Sequence, residues 1–389
     1  MRVAYICADP GVPIFGSKGC SIHAQEVLRA VVARGAAVDL FATSLGGEPA
    51  PGLETVRLRR LPPAPKGELA TREQMSLAAN ADLCCALEGE GPFDLVYERY
   101  SLWSFAGMEY ARATGKPGLL EINAPLIEEQ AEHRGLVDRA GAERSTERAF
   151  SEATALLAVS EEVGAYLQQF PATRGKVHII PNAVNPDRFP PQLAAALPAA
   201  PGIFTVGFVG TLKRWHGVEI LLEAFVSLYE RNSSTRLLIV GEGPEREKLQ
   251  SQALAADLGE AVLFTGAVAA SDVPGLLASM DVAVAPYPKL SRFYFSPLKV
   301  YEYMAAGLPV VASRLGQLEK LIEDNVNGLL TAPGDAAELA VALERLRSMP
   351  ALRTRLGKAA RTSMLREHTW DAVVERILRL AGLGENGHR

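Results

Sequence analysis

Cysteine and long apolar runs are both scarce in this sequence of 389 residues. Its four cysteines, Cys7, Cys20, Cys84 and Cys85, show no Cys-x-x-Cys spacing. The pattern excludes a disulfide framework and predicts buried, reduced thiols in a cytoplasmic protein. No apolar stretch approaches the roughly 20 residues that span a bilayer, and no signal-peptide pattern is present, so we expect at most peripheral membrane contact.

A surplus of charge of one sign is also missing. The sequence has 40 basic and 45 acidic side chains and a formal net charge of −5, which excludes a protein that wraps nucleic acid. It has no Asp-x-Asp pair and no His or Cys cluster with metal spacing, so we expect neither a metal site nor a bound cofactor. The absence of a full Gly-x-Gly-x-x-Gly disfavours a dehydrogenase.

Short apolar runs alternate with segments of helical period along the whole chain, which predicts βαβ units with parallel sheets. The runs typical of strands are Val3–Cys7, Val38–Ala42, Thr55–Leu58, Leu95–Tyr97, Leu119–Ile122, Leu156–Val159, Val177–Ile180, Thr205–Val209, Leu237–Val240, Val262–Phe264, Val282–Ala285, Pro309–Ala312 and Gly328–Leu330. We therefore predict an α/β protein of two Rossmann-like, doubly wound domains that face each other across a cleft.

The two series of runs are separated by a segment rich in Pro, Ala and Asn, a composition that suits a linker. The predicted organisation is an N-terminal domain over 1–185, a linker over 186–202 and a C-terminal domain over 203–368. Residues 369–389 include an amphipathic helix, Trp370–Leu380, that is expected to cross back to the first domain.

The segment from Ser296 to Glu302 carries the strongest chemical signal. Ser296 suits an N-cap and Pro297 a first helical position, which predicts a helix over Pro297–Ala306. Lys299 then lies in the first turn, where the helix dipole disfavours a cation unless an anion such as a diphosphate is bound. Glu302 lies on the same face and can accept hydrogen bonds from ribose hydroxyls. An ordinary surface pair between Lys299 and Glu302 explains the pattern equally well.

Three further loops join a strand to a helix and could hold phosphate. One carries Lys213, Arg214 and His216, a plausible diphosphate clamp, although basic residues are common in exposed loops. Another, VGEGP, contains Glu242 and is weak evidence for a nucleotide site. Near the N-terminus, Gly19 stands ahead of the first helix and allows close backbone approach, with a flexible surface loop as an equal alternative.

Polar residues also follow two predicted strands of the first half. Glu98 and Arg99 follow one strand, and Glu121 and Asn123 follow the next. The carboxyl ends of parallel strands border the ligand site of open α/β sheets, so these side chains are candidates for substrate contacts. Each is equally well explained by hydrogen bonds to loop backbone.

Several segments occur in an order that is typical of one enzyme family. These are the N-terminal glycine loop, IIPNAVNPDRF, GTLKRWHG, VGEGP, FTGAV, and the run YFSPLKVYEYMAAGLPVVAS followed by EKLIEDNVNGLLTAPGD. Together they resemble glycosyltransferase family 4 over nearly the whole chain. The resemblance implies the GT-B fold, a retaining reaction and a UDP- or GDP-linked sugar as donor.

The resemblance also assigns donor contacts by position. Glu302 matches the glutamate that holds the nucleotide ribose, residues 296–298 contact the phosphate and sugar, and Gly19 matches the loop that closes over the reacting sugar. Residues 267 and 268 lie where the base is read. The predicted donor site comprises Glu302, Ser296, Pro297, Leu298, Gly19, Thr211, Lys213, Arg214, His216, Glu242, Ala267 and Val268.

The sequence departs from the family pattern at four positions. Tyr294 replaces the first glutamate of the signature, and Asn123 stands where a histidine often follows the fifth strand. Thr211 and His216 replace the usual arginine and lysine of the donor loop. We hypothesise that the diphosphate charge is balanced instead by Lys213, Arg214 and Lys299.

The expected reaction moves a glycosyl group to an acceptor hydroxyl without a metal, by front-face attack, a preference that rests on the resemblance. The predicted catalytic residues are Lys299, Asn123 and Glu121, and the predicted acceptor-binding residues are Arg99 and His23. A sugar, a lipid-linked compound and a small metabolite all remain open as acceptors, with specificity expected in loops such as Pro62–Met75. A sugar-nucleotide 2-epimerase of the same fold and a non-catalytic two-domain sugar-binding protein remain as alternatives.

Overall fold

The computed structural model describes residues 1–63, 66–294 and 296–384, and these form two compact units. The first unit contains Met1–Asn182, Tyr294–Ser296 and the C-terminal segment from Trp370, and the second contains Ala183–Phe293 and Pro297–Thr369. Residues 64 and 65 of the predicted acceptor loop lie outside the described residues.

The first unit is built on a parallel sheet of seven strands in the order β3-β2-β1-β4-β5-β6-β7. Its central strands are buried along their whole length, as expected of near-continuous apolar runs in a sheet covered on both faces. The strands are β1 (Arg2–Cys7), β2 (Ala37–Ala42), β3 (Arg57–Arg60), β4 (Leu95–Arg99), β5 (Gly118–Ile122), β6 (Ala155–Ala158) and β7 (Val177–Ile179). The helices are α1 (Gly19–Ala33), α2 (Leu69–Ala78), α3 (Asn80–Glu90), α4 (Ala106–Ala113), α5 (Leu126–His133), α6 (Arg139–Glu152) and α7 (Glu161–Leu167).

The second unit repeats this plan with a parallel sheet of six strands in the order β10-β9-β8-β11-β12-β13. The strands are β8 (Phe204–Val209), β9 (Thr235–Val240), β10 (Val262–Phe264), β11 (Val282–Ala285), β12 (Val310–Ser313) and β13 (Leu329–Thr331). The helices are α8 (Val218–Arg231), α9 (Arg246–Ala255), α10 (Val273–Leu277), α11 (Leu298–Ala305), α12 (Leu318–Leu321), α13 (Ala336–Ser348) and α14 (Pro350–Glu367).

The last helix, α15 (Trp370–Leu380), packs on the first unit with Trp370, Val374 and Ile377 buried. The segment predicted as a linker lies within the second unit, where Ala196 N donates to Gly275 O at 2.9 Å. None of the helices in the described ranges is long and apolar enough to cross a bilayer.

The predicted α/β class with two parallel-sheet domains is confirmed, but the prediction for the third strand is shifted by two residues. The run Thr55–Leu58 is replaced by the edge strand Arg57–Arg60. Arg59 explains the shift, because its guanidinium lies 2.7 Å from Glu90 and 3.4 Å from buried Asp39. Ion pairs thus stabilise a strand that hydrophobic pattern alone does not predict.

The predicted start of α11 is wrong. The helix begins at Leu298, and Pro297 rather than Ser296 occupies the N-cap position. Ser296 Oγ instead accepts a hydrogen bond from Asn182 N at 3.1 Å, so a contact distant in sequence has replaced the local cap. By contrast, α7 has a local cap, since Ser160 Oγ accepts from Val163 N at 3.2 Å.

The four cysteines are free thiols with different degrees of exposure. Cys7 is buried in β1, as predicted, whereas Cys20 and Cys84 are half-buried. Cys85 is exposed on α3, so the prediction of burial is wrong there. The helical period of α3 turns Leu83 and Leu87 inward and leaves Cys85 on the outer face.

Glu98 lies within β4 and points into the core instead of toward the strand end. Its Oε1 accepts a hydrogen bond from Ser104 Oγ at 2.5 Å, and its buried Oε2 has no partner among the described residues. A Cβ on Gly107 of α4 would lie 2.3 Å from that oxygen, which shows how closely the helix covers it. Burial raises the pKa of Glu98 to about 7, despite the opposing hydrogen bond from Ser104.

The buried Glu98 makes stability depend on pH. Its folded-state pKa lies above the usual value of 4.5, so the folded chain holds this proton more tightly than the unfolded chain does. We expect stability to fall as the pH rises from 4.5 to 7. In urea unfolding, Glu98→Gln should match the wild type near pH 4.5 and exceed it at pH 8 by roughly 3 kcal/mol. Glu132→Gln, at an exposed position, is the control. If the wild type and Glu98→Gln were equally stable at pH 8, the raised pKa of the buried Glu98 would be contradicted.

Candidate functional site

The second sheet changes winding direction between β8 and β11. Strands β9 and β10 extend from β8 on one side, and β12 and β13 extend from β11 on the other. In open parallel sheets, ligands bind at the carboxyl ends of the strands next to such a switch point. The segments that follow β8 and β11 are therefore the expected position of a ligand in this unit.

The loop after β8 holds two of the predicted basic side chains. Arg214–His216 forms a 3-10 turn, and Gly217 follows it with φ +68°. A Cβ on Gly217 would lie 1.7 Å from Pro286 O, so the loop approaches the chain leaving β11 only because no side chain intervenes. Lys213 is half-buried with its Nζ 4.6 Å from the centroid of Trp215, and Arg214 is exposed.

His216 is a neutral member of this loop near neutral pH. Its Nδ1 lies 2.5 Å from Thr211 O and therefore carries the ring proton. Burial, together with the charges of Lys299 and Lys213, lowers the pKa of His216 to about 3. The positive charge of the loop thus comes from Lys213 and Arg214, and Thr211 takes part through its carbonyl.

Lys299 lies in the first turn of α11 and turns its amine into the protein. Its Nζ is buried and has no hydrogen-bond partner among the described residues, while its stem stays partly exposed. The nitrogen lies 4.3 Å from the ring centroid of Phe208 and 5.6 Å from that of Tyr287, and 2.8 Å from where a Cβ on Gly210 would stand. Aromatic faces replace only part of the lost hydration, and burial lowers the pKa of Lys299 to about 7.

Tyr303 explains why Lys299 reaches the end of β8. Its hydroxyl accepts from Val209 N at 2.7 Å and lies 3.1 Å from Val209 O, to which it donates. These bonds fix α11 against the last residue of β8. Lys299, one turn earlier on the same helix, is thereby held beside Gly210.

Glu302 pairs with Arg188, a residue that sequence reasoning did not assign. Arg188 Nη1 lies 2.6 Å from Glu302 Oε1, and Nη2 donates to Ala270 O at 2.9 Å. The alternative surface pair of Lys299 with Glu302 is not formed. Arg188 belongs to the quoted segment IIPNAVNPDRF, but nothing in its spacing indicates a partner more than one hundred residues away.

The loops after β9 and β10 adjoin through a bridge between Gly241 and Gly266. Glu242 lies beside Gly266, the residue before Ala267, since its Oε2 is 3.5 Å from where a Cβ on Gly266 would stand. Glu242 is exposed and pairs with Arg246. Ala267 is exposed and Val268 half-buried, so both can contact a ligand from the surface.

Glu121 is the centre of a buried charged cluster in the first unit. Its Oε1 lies 2.9 Å from Arg99 Nη1 and 2.5 Å from Asn123 Nδ2, and its Oε2 accepts from His23 Nε2 at 2.8 Å and from Tyr97 OH. Burial alone would raise the pKa of Glu121, but these donors hold it well below its usual range. The structure thus brings together four predicted residues, Glu121, Asn123, Arg99 and His23, around an ionised carboxylate.

His23 has both ring nitrogens engaged by protein groups. Nε2 faces Glu121, and Nδ1 lies 2.5 Å from the Oδ1 of Asn182, a residue that sequence reasoning missed. The ring edge contacts Trp370 with centroids 4.9 Å apart. An adjoining cavity of about 10 Å³, lined also by Tyr97, has room for about one water molecule and not for an acceptor.

The remaining predicted positions lie at the ends of α1 and α11. Gly19 is exposed and begins α1, where the N-cap Lys18 makes no side-chain bond. Pro297 is buried, and Ser296 and Leu298 are half-buried. Tyr294, at the position of the family's first glutamate, belongs to the first unit, where its hydroxyl lies 3.2 Å from Glu129 Oε2.

Comparisons with known proteins cover both halves of the chain. The model of Glycosyltransferase Family 4 matches residues 17–188, and that of Glycosyl transferases group 1 matches residues 203–348. A D-inositol 3-phosphate glycosyltransferase of Arthrobacter sp. is 28% identical over 366 residues, which cover 88% of this chain and 85% of the relative. A 2-deoxystreptamine glucosyltransferase of Streptomyces kanamyceticus is 28% identical over 335 residues, with coverages of 77% and 84%.

A similar solved structure is that of HepE from Anabaena in complex with UDP and glucose. It superposes with a TM-score of 0.74 and 19% identity over 98% of this chain and 99% of HepE. The comparisons do not favour an epimerase or a non-catalytic sugar-binding protein. The two matched halves and the two parallel-sheet units agree, and the chain belongs to the family 4-like glycosyltransferases with the GT-B fold.

Proposed function

We propose that this enzyme transfers a sugar from a UDP-linked donor to an acceptor hydroxyl, with retention of configuration and without a metal ion. The observation that carries the proposal is the buried amine of Lys299, which has no acceptor among the described residues. Such a group is costly in the folded chain and gains partners when a diphosphate binds. The first N–H groups of α11 add an anion site at the same place.

The other donor contacts follow from where the structure places each side chain. Lys213 and Arg214 would neutralise the diphosphate from the loop after β8, and Glu302, oriented by Arg188, would accept from the ribose hydroxyls. The base would be read near Ala267, Val268 and Glu242. The UDP in the HepE complex favours uracil over guanine for this chain as well. Pro297, Leu298, Thr211 and His216 complete the proposed donor site within the second unit. The donor contacts that the family resemblance implies for Ser296 and Gly19, in the first unit, stay predictions.

The proposed chemistry breaks the bond between the anomeric carbon and the phosphate oxygen and forms a bond to the acceptor oxygen. The acceptor proton moves to the departing phosphate oxygen, whose charge Lys299 stabilises. Glu121 is not a nucleophile in this scheme, because four donors already occupy its carboxylate. It would instead fix Asn123, whose amide oxygen is available to a sugar hydroxyl.

For the acceptor, we propose a small polyhydroxylated ring. The relatives in Arthrobacter and Streptomyces are named for inositol phosphate and 2-deoxystreptamine, both of that class. Arg99, with a side chain 10% exposed, is the residue we favour as the acceptor contact, since His23 is enclosed. The cytoplasm, where thiols stay reduced, is the proposed location.

A transfer assay tests the proposal. Purified enzyme is incubated in EDTA with UDP-glucose, UDP-N-acetylglucosamine or GDP-mannose and with cyclic polyols, free sugars or a lipid-linked sugar. We expect a UDP-sugar to yield a glycoside with the donor's anomeric configuration, detected by mass spectrometry and the anomeric coupling in NMR.

Arms without acceptor serve as the control, because only an epimerase would change the sugar there. Inversion at the anomeric carbon would contradict the retaining reaction. A strict requirement for added Mg²⁺ would contradict transfer without a metal, and transfer from GDP-mannose alone would contradict a UDP-linked donor.

A further inference from the structure

The hydrogen bonds around His23 determine its protonation state. Asn182 Nδ2 donates to Ser296 O, because a carbonyl oxygen can only accept. The Oδ1 of Asn182 must then face His23 Nδ1, which has to donate to it. On the other side of the ring, Nε2 faces the carboxylate of Glu121 and also has to donate. Both ring nitrogens of His23 therefore carry protons, and the ring is a buried imidazolium.

The chain of contacts continues from His23 to the segment Tyr294–Ser296 within the first unit. Asn182 binds Ser296 twice, through its amide side chain and through its backbone N–H to Ser296 Oγ at 3.1 Å. Tyr294 O accepts from Ser160 Oγ at 3.0 Å. Ser296 is the last residue before Pro297 and α11, so the first unit anchors the residue that leads into the proposed donor helix.

We infer that His23 is a positioning residue, a doubly protonated imidazole that holds Ser296 through Asn182. The inference rests on the proposed function, in which Ser296 is a predicted donor contact. His23 itself touches neither the diphosphate nor the acceptor in this account.

Titratable groups of three strands and of α15 lie around His23 or around its partner Glu121. Its Nε2 faces Glu121 of β5, whose carboxylate also accepts from Arg99 and Tyr97 of β4, and Arg99 in turn interacts with Tyr5 and Cys7 of β1. The pKa of Glu121 is held low, and burial raises the pKa of Tyr97 and Tyr5 well above 10 and that of Cys7 to about 12. On α15, the acidic residues Asp371 and Glu375 pair with Arg34 instead.

Loss of the His23 proton would occur at Nδ1, because Glu121 retains the proton on Nε2. A bare Nδ1 would then face the oxygen of Asn182 at a distance of 2.5 Å, which is repulsive. Asn182 would turn or withdraw, and both of its bonds to Ser296 would weaken. A weaker bond between His23 and Asn182 is therefore expected to loosen Ser296, which is a predicted donor contact in the proposed function.

NMR on the full chain tests the anchor independently of catalysis. With ¹⁵N-labelled histidine, we expect both ring nitrogens of His23 to be protonated at pH 6.5. The backbone amide of Asn182 should exchange with solvent about tenfold faster in His23→Gln than in the wild type, and His178→Gln on β7 is the matched control. A neutral His23 ring at pH 6.5, or unchanged exchange at Asn182, overturns the inference.

UDP titrations at a single pH test whether this contact affects donor binding. His23→Gln should bind UDP about tenfold more weakly than the wild type. Asn182→Ala removes both the acceptor of His23 Nδ1 and the side-chain bond to Ser296 O, and it should show a comparable loss. If NMR shows the predicted behaviour of His23 and Asn182 but the wild type binds no UDP, the proposed function fails and the inference about His23 stands. If the wild type, His23→Gln and Asn182→Ala bind UDP equally well, the inference fails and the proposed function stands.

Discussion

Replacing Lys299 with methionine is expected to lower kcat/KM for the nucleotide sugar about 10²–10³-fold and to raise the melting temperature of the protein. Methionine keeps the length and apolar stem of the side chain but removes the charge that would stabilise the departing phosphate. Loss of one preorganised donor at such a position typically reduces kcat by about 10²–10³-fold. Steady-state kinetics with the donor varied at saturating acceptor measures the effect.

The rise in stability follows from the state of the lysine in the folded chain. Its folded-state pKa of about 7 lies below the usual 10.5, so burial of the ammonium opposes folding most strongly below pH 7 and less as the pH rises toward 10.5. Thermal unfolding should therefore show a larger gain for Lys299→Met at pH 6.5 than at pH 9.5. The exposed Lys358→Met on α14 is the control. A variant that loses stability, or that keeps full turnover, contradicts the assignment.

Replacing Glu302 with alanine is expected to weaken UDP binding about 10²-fold and to leave the binding of inorganic pyrophosphate unchanged. The carboxylate would hold the ribose through charge-assisted hydrogen bonds, each worth about 1.5–3 kcal/mol, and pyrophosphate has no ribose. Isothermal titration with both ligands separates the two contributions. Lys299→Met should weaken both ligands, so the two variants should have different signatures.

Two control variants test whether the loss comes from the ribose contact of Glu302. Glu302→Gln retains an acceptor for Arg188 and should lose less affinity than Glu302→Ala. Glu319→Ala, on the short helix α12 of the same unit, should bind both ligands like the wild type. Equal losses of UDP and pyrophosphate in Glu302→Ala would mean that the residue acts through the fold of α11 and not through the ribose.

The parts of the fold that depend on local pattern could be predicted from the sequence. Strands such as Val282–Ala285 and the helix Trp370–Leu380 were placed to the residue, because period and burial depend on neighbours in the chain. The position of Lys299 in the first turn of α11 was also predicted, although the cap residue was not.

The parts that depend on distant partners could not be predicted. Ser296 has the chemistry of a cap, but Asn182 binds it instead. Arg188 and Glu302 are separated by 114 residues, and His23 and Asn182 by 159. No spacing rule connects such pairs, because the sheet topology alone determines which strand ends become neighbours.

The burial of the Lys299 amine could not be predicted from the sequence either. Phe208 lies in β8 and Tyr287 follows β11, and they surround the amine only because β8 and β11 are adjacent in the second sheet.

A crystal structure of the enzyme with UDP, grown in EDTA, tests the central claim most directly. The account predicts the diphosphate at the N-terminus of α11 with an oxygen within hydrogen-bond distance of Lys299 Nζ, and the ribose hydroxyls on Glu302. A nucleotide bound elsewhere, or a diphosphate at this helix with Lys299 still turned against Phe208 and unpaired, would contradict it.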